Sequence, residues 1–560
     1  MTQAGAAAVT ARQSAPRLRV GLLLDALVAP AWVHQVVSDI ASGDDARLAL
    51  AVVDASPPEP PAGALARAWR QRSTLAYRLF GRLDDALYAR SDDAFSPRSL
   101  GHLLGEVPVL PVVPERHADC DRLDEADVGR IARHGLDVLL CPGFRRLRGR
   151  VLGAARHGVW SLRFGDETGA GSHAAAFREV AEGAPVTRVA VTRLHEPGEG
   201  DIVLRRSWIA TDPRSARCNR SELAWKGAAL FGRALRDLRT SGATLPEPEP
   251  HDRSPEAVRR GGSPTTGEAL GAALRIGGRA VRDRLLRAAF FEQWCLATSL
   301  GEAAPDTVPR FTELLPPKDR HWADPFAFEH EGRLHLFFEE CLVGAPRAHV
   351  SVMELGADER WTPPRTVLEG PYHLSYPFVF TWNGAVWMLP ETSENRTVEL
   401  YRCERFPDRW ALERVLLHGV RACDATLHEQ DGRWWMFTAM AVPGARTFDD
   451  LHVFEAPAPL GPWTPIAGNP VCSDVRCARP AGRLFLRDGH WIRPAQDGSG
   501  RYGRAIRFQR VERLDSGGYA ESDAGGIEPD WAPDVLATHT FSTAGRLTVV
   551  DFIKRRRRLG

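Results

Sequence analysis

The chain has 560 residues, of which 44% are hydrophobic and 26% charged, and its formal net charge is +1. That size predicts roughly two to four domains with ample core, and the balanced charge excludes a global field that would draw the protein to nucleic acid or an anionic membrane. Nine scattered cysteines, with Cys472 and Cys477 the closest pair and no C-x-x-C or zinc-type spacing, exclude a disulfide scaffold and fit reduced thiols in the cytosol.

The first sixteen residues are small and polar and lack the apolar core of a signal peptide. No later window approaches the ~18 clean apolar residues of a spanning helix. The expectation is a cytoplasmic protein with no transmembrane segment. Residues 17–240 alternate strand and helix signals. RLRVGLLLD reads as a buried strand, PAWVHQVVSDIAS as a helix and RLALAVVDA as a strand, followed by a helical stretch from Leu65 to Leu87. VPVLPVVP, a helix over Glu125–Gly135, LDVLLCPG, a helix over Arg150–His157 and GVWSLRFG continue the series. VTRVAVTRLHE and DIVLRRSWIA add two strands, and Glu222–Arg239 closes with a helix. Such alternation predicts an α/β domain with a mostly parallel sheet.

A linker and helix over 241–291 come next: a Pro- and Gly-rich run at roughly 245–267, then an amphipathic stretch at about 268–290. FEQWCLATSL is expected to supply an outer strand to the domain that follows.

That domain, 292–553, contains a five-fold repeat. The copies read ADPFAFEHEGRLHLFFEE, SYPFVFTWNGAVWMLPET, CDATLHEQDGRWWMFTAM, RPAGRLFLRDGHWIRPAQD and THTFSTAGRLTVVDF. Their turn glycines are Gly332, Gly384, Gly432, Gly489 and Gly545, giving steps of 52, 48, 57 and 56 residues by subtraction. A period near fifty with two strand pairs per unit predicts an all-β, five-bladed propeller. Trp361, Trp410, Trp463 and Tyr519 recur some thirty residues after the blade glycines and are expected to pack between blades.

If each hairpin turns on the Gly and the residue before it, position −8 faces position +7. That register pairs Asp324 with Glu339, Tyr376 with Glu391, and Asp424 with Ala439. The fourth copy contributes Gln496, with Asp497 beside it, and Arg479; the fourth and fifth have Ala481 and Ala537 at −8, with His539 near the latter. Polar and acidic residues thus collect at one mouth of the channel. Paired carboxylates suit glycosidic chemistry, in which one protonates the leaving oxygen and another attacks or activates water. They equally suit sugar binding. Asp324, Asp424 and Glu391 are the candidate catalytic residues. Glu339, Tyr376, His373, Arg479, Gln496, Asp497 and His539 are the candidate substrate contacts, with Arg479 an alternative partner for Glu339. His321 and His373 share one repeat offset that His539 does not, so no metal site and no cofactor are expected.

HWADPF at 321–326 and APLGPWTP at 458–465 resemble the five-bladed arabinanase- and fructosidase-type glycoside hydrolases. HWADPFAFEHEGRLHLFFEE, YHLSYPFVF, ELYRCERFPDRW and DATLHEQDGRWWMF more closely resemble the N-terminal propeller of glucosamine inositolphosphorylceramide transferases and its bacterial relatives. The hydrolase resemblance implies an Asp in each of the first two blades and a Glu in the third. Asp324 matches the first, whereas the second-blade position is Tyr376. The transferase resemblance implies glycan or glycolipid chemistry, with the separate glycosyltransferase domain absent from this chain. GLDVLLCPGFRRLRGRVLGAARHGVWSLRFG resembles the strand–helix–strand of the formyltransferase fold. Ser161, Leu162 and Arg163 stand where that family has Asn-x-His, and Gly198 stands at its catalytic Asp, which implies an inactive domain.

Three readings follow. One is a carbohydrate-active protein of cell-surface polysaccharide or glycolipid biosynthesis, with a carbohydrate or glycolipid substrate and glycan-assembly partner enzymes. The second is a noncatalytic glycan-binding or scaffold protein. The third is a glycoside hydrolase or formyltransferase-type enzyme with altered catalytic residues. No basic patch with interleaved aromatics points to nucleic acid.

Overall fold

The computed structural model describes residues 16–57, 74–90, 93–117, 120–165, 176–196, 200–240, 264–301 and 311–558. Most of the expected linker, the start of the Leu65–Leu87 stretch, and Gly198 lie outside them. Described residues up to Ala280 form one compact unit, and those from Val281 onward make up the bulk of a second.

The first unit is built on a seven-stranded sheet. Its strands are β1 (Leu18–Leu24), β2 (Ala46–Asp54), β3 (Val109–Val112), β4 (Val138–Cys141), β5 (Val159–Phe164), β6 (Val186–Arg193) and β7 (Ile202–Ala210). The order is β7-β6-β5-β4-β1-β2-β3, parallel from β5 to β3, with β6 and β7 antiparallel. Alternate residues face opposite layers, as the pleat requires. Leu22, Leu24, Leu140 and Leu162 pack with the helices Ala31–Ser42 and Ala216–Thr240, while Leu23, Leu139 and Cys141 pack with Ile131 of the helix Glu125–Ala132. The helix expected over Arg150–His157 is only a 3-10 turn, Arg150–Gly153. Gly153 and Gly158 close to it remove helix propensity and end the turn early.

The second unit contains five antiparallel sheets of four or five strands each, the blades of a propeller. Four central hairpins turn on Glu331-Gly332, Asn383-Gly384, Asp431-Gly432 and Asp488-Gly489, and all eight residues have positive φ. This is the two-residue turn whose twist matches that of paired strands. Phe290–Leu300 pairs along its whole length with Leu547–Arg557, so the first and last strands share blade five and close the ring. Closure leaves no open sheet edge between the chain ends. The basic run 554–558 is strand as far as Arg557, and Lys554 Nζ sits 2.8 Å from Glu313. Trp410 meets Phe337 of blade one edge-on at 6.0 Å, and Tyr519 meets Phe437 of blade three at 5.6 Å, both packing between blades.

Candidate functional site

In blades one to three the expected register holds near the turn and breaks at the site. In blade one, Phe326 pairs with Phe337, but the residue opposite Glu339 is Ala323, not Asp324. Blade two places Ser375 opposite Glu391, and blade three places Cys423 opposite Ala439. Each strand therefore carries a bulge, and the bulged residues are Asp324, Tyr376 and Asp424, with φ of 50°, 44° and 54°. An extra residue re-aims its side chain relative to the ladder. The left-handed backbone costs a non-glycine residue roughly 1–2 kcal/mol. Three blades adopt this conformation at the same repeat position, and the surrounding contacts hold it.

Blade five departs from the expected register for a different reason. Ala544 pairs with Leu547, so Gly545 is the first turn residue rather than the second, and Ala537 is not equivalent to Asp324. Asp551, five residues after the second turn residue Arg546, stands off the positions that the register singles out, and the sequence reading missed it. Its signal was a carboxylate closing the apolar run LTVV in a strand with both neighbours buried.

Asp551 organises the innermost contacts. Its Oδ1 accepts the backbone N–H groups of His539 and Thr540, both at 2.9 Å, and its Oδ2 accepts the N–H of Asp324 at 3.0 Å. The imidazole of His539 bridges two carboxylates. Nε2 lies 3.5 Å from Asp324 Oδ1, and Nδ1 lies 2.6 Å from Asp551 Oδ2 but outside hydrogen-bond alignment, so the latter contact is electrostatic. Thr540 Oγ1 donates to Asp324 Oδ1 at 2.8 Å, and Trp294 stacks on the imidazole at 4.2 Å. Burial disfavours the imidazolium, but Asp551 and Asp324 outweigh it and raise the His539 pKa. Burial raises Asp324 to about 6 against the opposing pull of His539, with Asp424 and Asp551 adding to the rise.

Asp424 belongs to a second group. Arg479 donates Nε to its Oδ2 at 2.5 Å, and Gln496 Nε2 donates to the same oxygen at 2.7 Å. Arg479 stands opposite Gln496 in blade four, the place that Ala323, Ser375 and Cys423 hold in blades one to three. The Tyr376 hydroxyl meets Thr426 Oγ1 at 2.8 Å, which fastens blade two to blade three.

Around this buried centre lies a shallower rim. The side chains of Glu391, Glu339 and Arg479 are 11%, 16% and 19% exposed, and Tyr502 is 52% exposed with its ring 5.2 Å from the Arg479 guanidinium. Glu391 Oε1 accepts from Ser393 at 2.5 Å; Oε2 has no partner as an acceptor and stands 3.7 Å from Arg479 Nη2. Burial, then Asp424, raise its pKa to about 8, with Arg479 opposing. A proton on Glu391 also allows a hydrogen bond to Asp424. Glu339 is raised well above the ordinary range by burial and the nearby acids. Its neighbour is His373 Nε2 at 3.4 Å rather than Arg479, and burial lowers that histidine's pKa.

Two expected features are not brought together. Asp497 points away from Gln496, as adjacent strand residues must. It takes Arg504 Nη1 at 2.8 Å and Arg507 Nη2 at 3.2 Å. His321 and His373 each accept a backbone N–H at Nδ1, from Trp294 at 3.2 Å and Ala348 at 3.3 Å, which explains their shared offset. In the first unit, Ser161 and Arg163 lie on β5, the Ser161 hydroxyl donating to Cys141 O at 3.4 Å.

The second unit is thus a five-bladed propeller whose blades deliver acids, an arginine and a histidine to one shared polar cluster. Residues 316–527 match the family described as glucosamine inositolphosphorylceramide transferase 1, N-terminal. The protein of that name from Oryza sativa subsp. japonica is 35% identical over 203 residues, which cover 36% of this chain and 27% of the rice protein. This chain therefore spans about a quarter of the length of the curated relatives it matches. Among solved structures, a family 117 glycoside hydrolase from Zobellia galactanivorans aligns with TM-score 0.32 and 11% identity, over 48% of this chain and 91% of that one. A glycinamide ribonucleotide transformylase from Symbiobacterium toebii aligns with TM-score 0.27 and 15% identity, over 41% of this chain and 91% of that one.

Proposed function

We propose that the propeller binds and acts on the sugar headgroup of a glycolipid or related glycan, with Glu391 as general acid. The observation that carries this reading is the place of Glu391 at the rim, 11% exposed and 3.7 Å from the Arg479 guanidinium that holds Asp424, where burial and Asp424 raise its pKa to about 8. A glycosidic oxygen leaves as a poor alkoxide unless protonated, and an acid with a pKa near the working pH supplies that proton efficiently. Asp324, with a pKa of about 6, is the carboxylate available to stabilise positive charge at the anomeric carbon or to direct a nucleophile. Asp424 has a positioning role: paired with Arg479 and Gln496, it keeps the proton on Glu391. The name of the relatives supports a substrate class of inositol-phosphate lipid headgroups bearing or receiving an amino sugar.

A second reading has its own support. Asp424 and Asp551 each accept three hydrogen bonds from within the chain, as in a rigid binding surface without turnover. Incubating the full chain with defined glycolipids, and following binding by calorimetry and products by mass spectrometry, separates the two. Binding without product in the wild type assigns a noncatalytic module. Product lost in both Glu391→Gln and Asp324→Asn, with binding retained, assigns the enzyme. No binding to any sugar-bearing lipid or glycan sinks both.

We further propose an inactive formyltransferase-type fold at 17–240, a linker and helix at 241–291 and a propeller at 292–553, in a cytoplasmic protein of bacterial type that works beside glycan-assembly enzymes. The loss of Asn and His at Ser161 and Arg163 supports the inactivity, because formyl transfer needs a base and an oxyanion-stabilising group.

A further inference from the structure

The helix Thr266–Ala289 carries a face that no described residue covers. Ala269 and Ala272 are buried against Phe177 and Ala181, so one side of the helix is committed to packing. The opposite side presents Leu270, Leu274, Val281 and Leu285, which are 56%, 77%, 59% and 66% exposed. At about 100° per residue these four fall within about 40° of Leu274, forming one stripe along the helix. Only glycine and alanine (267, 271, 277, 278, 288 and 289) share it.

The borders of the stripe are basic. Arg282 and Arg284, both exposed, lie about 80° to either side of it; Asp283 projects from the far side, where Arg282 Nη2 reaches its Oδ1 at 3.3 Å in an exposed pair that a lipid phosphate can displace. The last strand adds to this charge. Arg558 donates its backbone N–H to Ala289 O at 3.1 Å and its Nε to Arg287 O at 2.9 Å, which sets exposed Arg557 and Arg558 beside the end of the helix. A formal net charge of +1 conceals this local concentration. In the first unit, the helix Leu75–Tyr88 repeats the pattern. Leu75, Leu79, Leu83 and Leu87 recur every fourth residue, from 51% to 67% exposed, with Arg82 exposed beside them.

We propose that the Thr266–Ala289 helix docks on an anionic lipid surface, its leucines entering the headgroup boundary and its arginines pairing with lipid phosphates. No described helix is long and apolar enough to cross a membrane, so the mode is interfacial. Arginine borders suit this location because the stem lies along apolar surface while the guanidinium stays at the headgroups. A second copy is a poorer occupant, since arginine borders would face arginine borders. A protein groove is also a poorer fit, since the stripe has none of the Trp or Tyr anchors that dominate such interfaces.

The test sediments the full chain with vesicles of phosphatidylcholine alone and with vesicles containing an equal share of phosphatidylglycerol. Binding is expected on the anionic vesicles, roughly tenfold weaker on the neutral ones and weakened by salt. The double variants Leu274→Glu/Leu285→Glu and Arg282→Glu/Arg284→Glu are each expected to lose roughly tenfold or more on anionic vesicles, with unchanged thermal unfolding because all four sites are exposed. Wild-type protein staying in solution with both vesicles overturns the proposal, as does a leucine variant that binds like wild type. A dimer without lipid that the leucine variant dissolves also overturns it and assigns the face to a second copy. The assay contains no sugar, so its failure leaves the propeller reading standing.

Discussion

Arg479 of blade four holds Asp424 of blade three through Nε at 2.5 Å, while its Nη2 reaches toward Glu391 of blade two at 3.7 Å. One guanidinium thereby ties three blades together at the channel, and its removal leaves a fully buried carboxylate without a counterion. Arg479→Met is expected to destabilise the protein by about 3–5 kcal/mol, because breaking a buried pair costs far more than the pair contributes. Arg479→Lys, which keeps the charge but loses the planar fork, should fall between. Urea unfolding monitored by tryptophan fluorescence checks both, and wild-type stability in Arg479→Met would remove the counterion role.

The raised acids fix the sign of the pH response. Glu391 holds its proton to about 8 in the folded protein against an ordinary value of 4.5, so between these values the folded state binds more protons than the unfolded one and stability falls as the pH rises. The stabilisation is complete below about 4.5 and is lost as the pH rises through about 8. Glu339 and His539 act with the same sign, and Asp324 does so up to about 6. Buried histidines with lowered pKa, His373 and His428 among them, act in the opposite sense below about 6.5, so the net fall in unfolding free energy is expected between pH about 7 and about 9. Glu391→Gln, a stand-in for the protonated acid, should flatten part of that slope. A curve that rises across this window contradicts the assignment.

The sequence made the blades legible because each hairpin repeats one turn chemistry at a period near fifty, and buried strand pairs between such turns have few alternatives. It also located Asp324, Asp424, Glu391 and Arg479 near one another, since antiparallel pairing carries register outward from the turn. What it could not carry was register through a bulge. Asp324, Tyr376 and Asp424 leave the ladder, and an inserted residue has no signature in a polar–apolar pattern. Asp551 was lost for a different reason: it stands within the ladder, opposite Leu296 and five residues after the turn, where the −8/+7 register singles out no position. Asp497 was over-read because strand alternation decides its direction, and a neighbour's role says nothing about it.

The bulge makes a prediction about side-chain shape rather than charge. At φ 50°, position 324 tolerates Asn, whose short polar side chain suits left-handed backbone, but not a β-branched residue. Asp324→Asn should unfold within about 1 kcal/mol of wild type, since it keeps an acceptor for Thr540. Asp324→Val adds backbone strain and leaves that buried hydroxyl without its acceptor, for a cost of about 2–4 kcal/mol. Thermal unfolding of the two variants side by side measures the difference, and equal stability would mean that the bulge carries no strain.

Tyr502 offers the clearest separation of binding from folding. Half of it is exposed at the rim, its ring lies over Arg479, and it meets His539 edge-on at 5.4 Å. An aromatic face so placed can stack on a sugar ring whose hydroxyls reach Glu339 and Glu391. Tyr502→Ala should weaken glycan binding by roughly two- to tenfold, matching the ~0.5–1.5 kcal/mol typical of an aromatic contact. Tyr502→Phe should restore most of it, because the face and not the hydroxyl makes the contact. Stability should change little, since the ring buries only part of its surface. Calorimetric titration of the three proteins reads the effect, and equal affinities would move the sugar away from this rim and deeper toward Asp324.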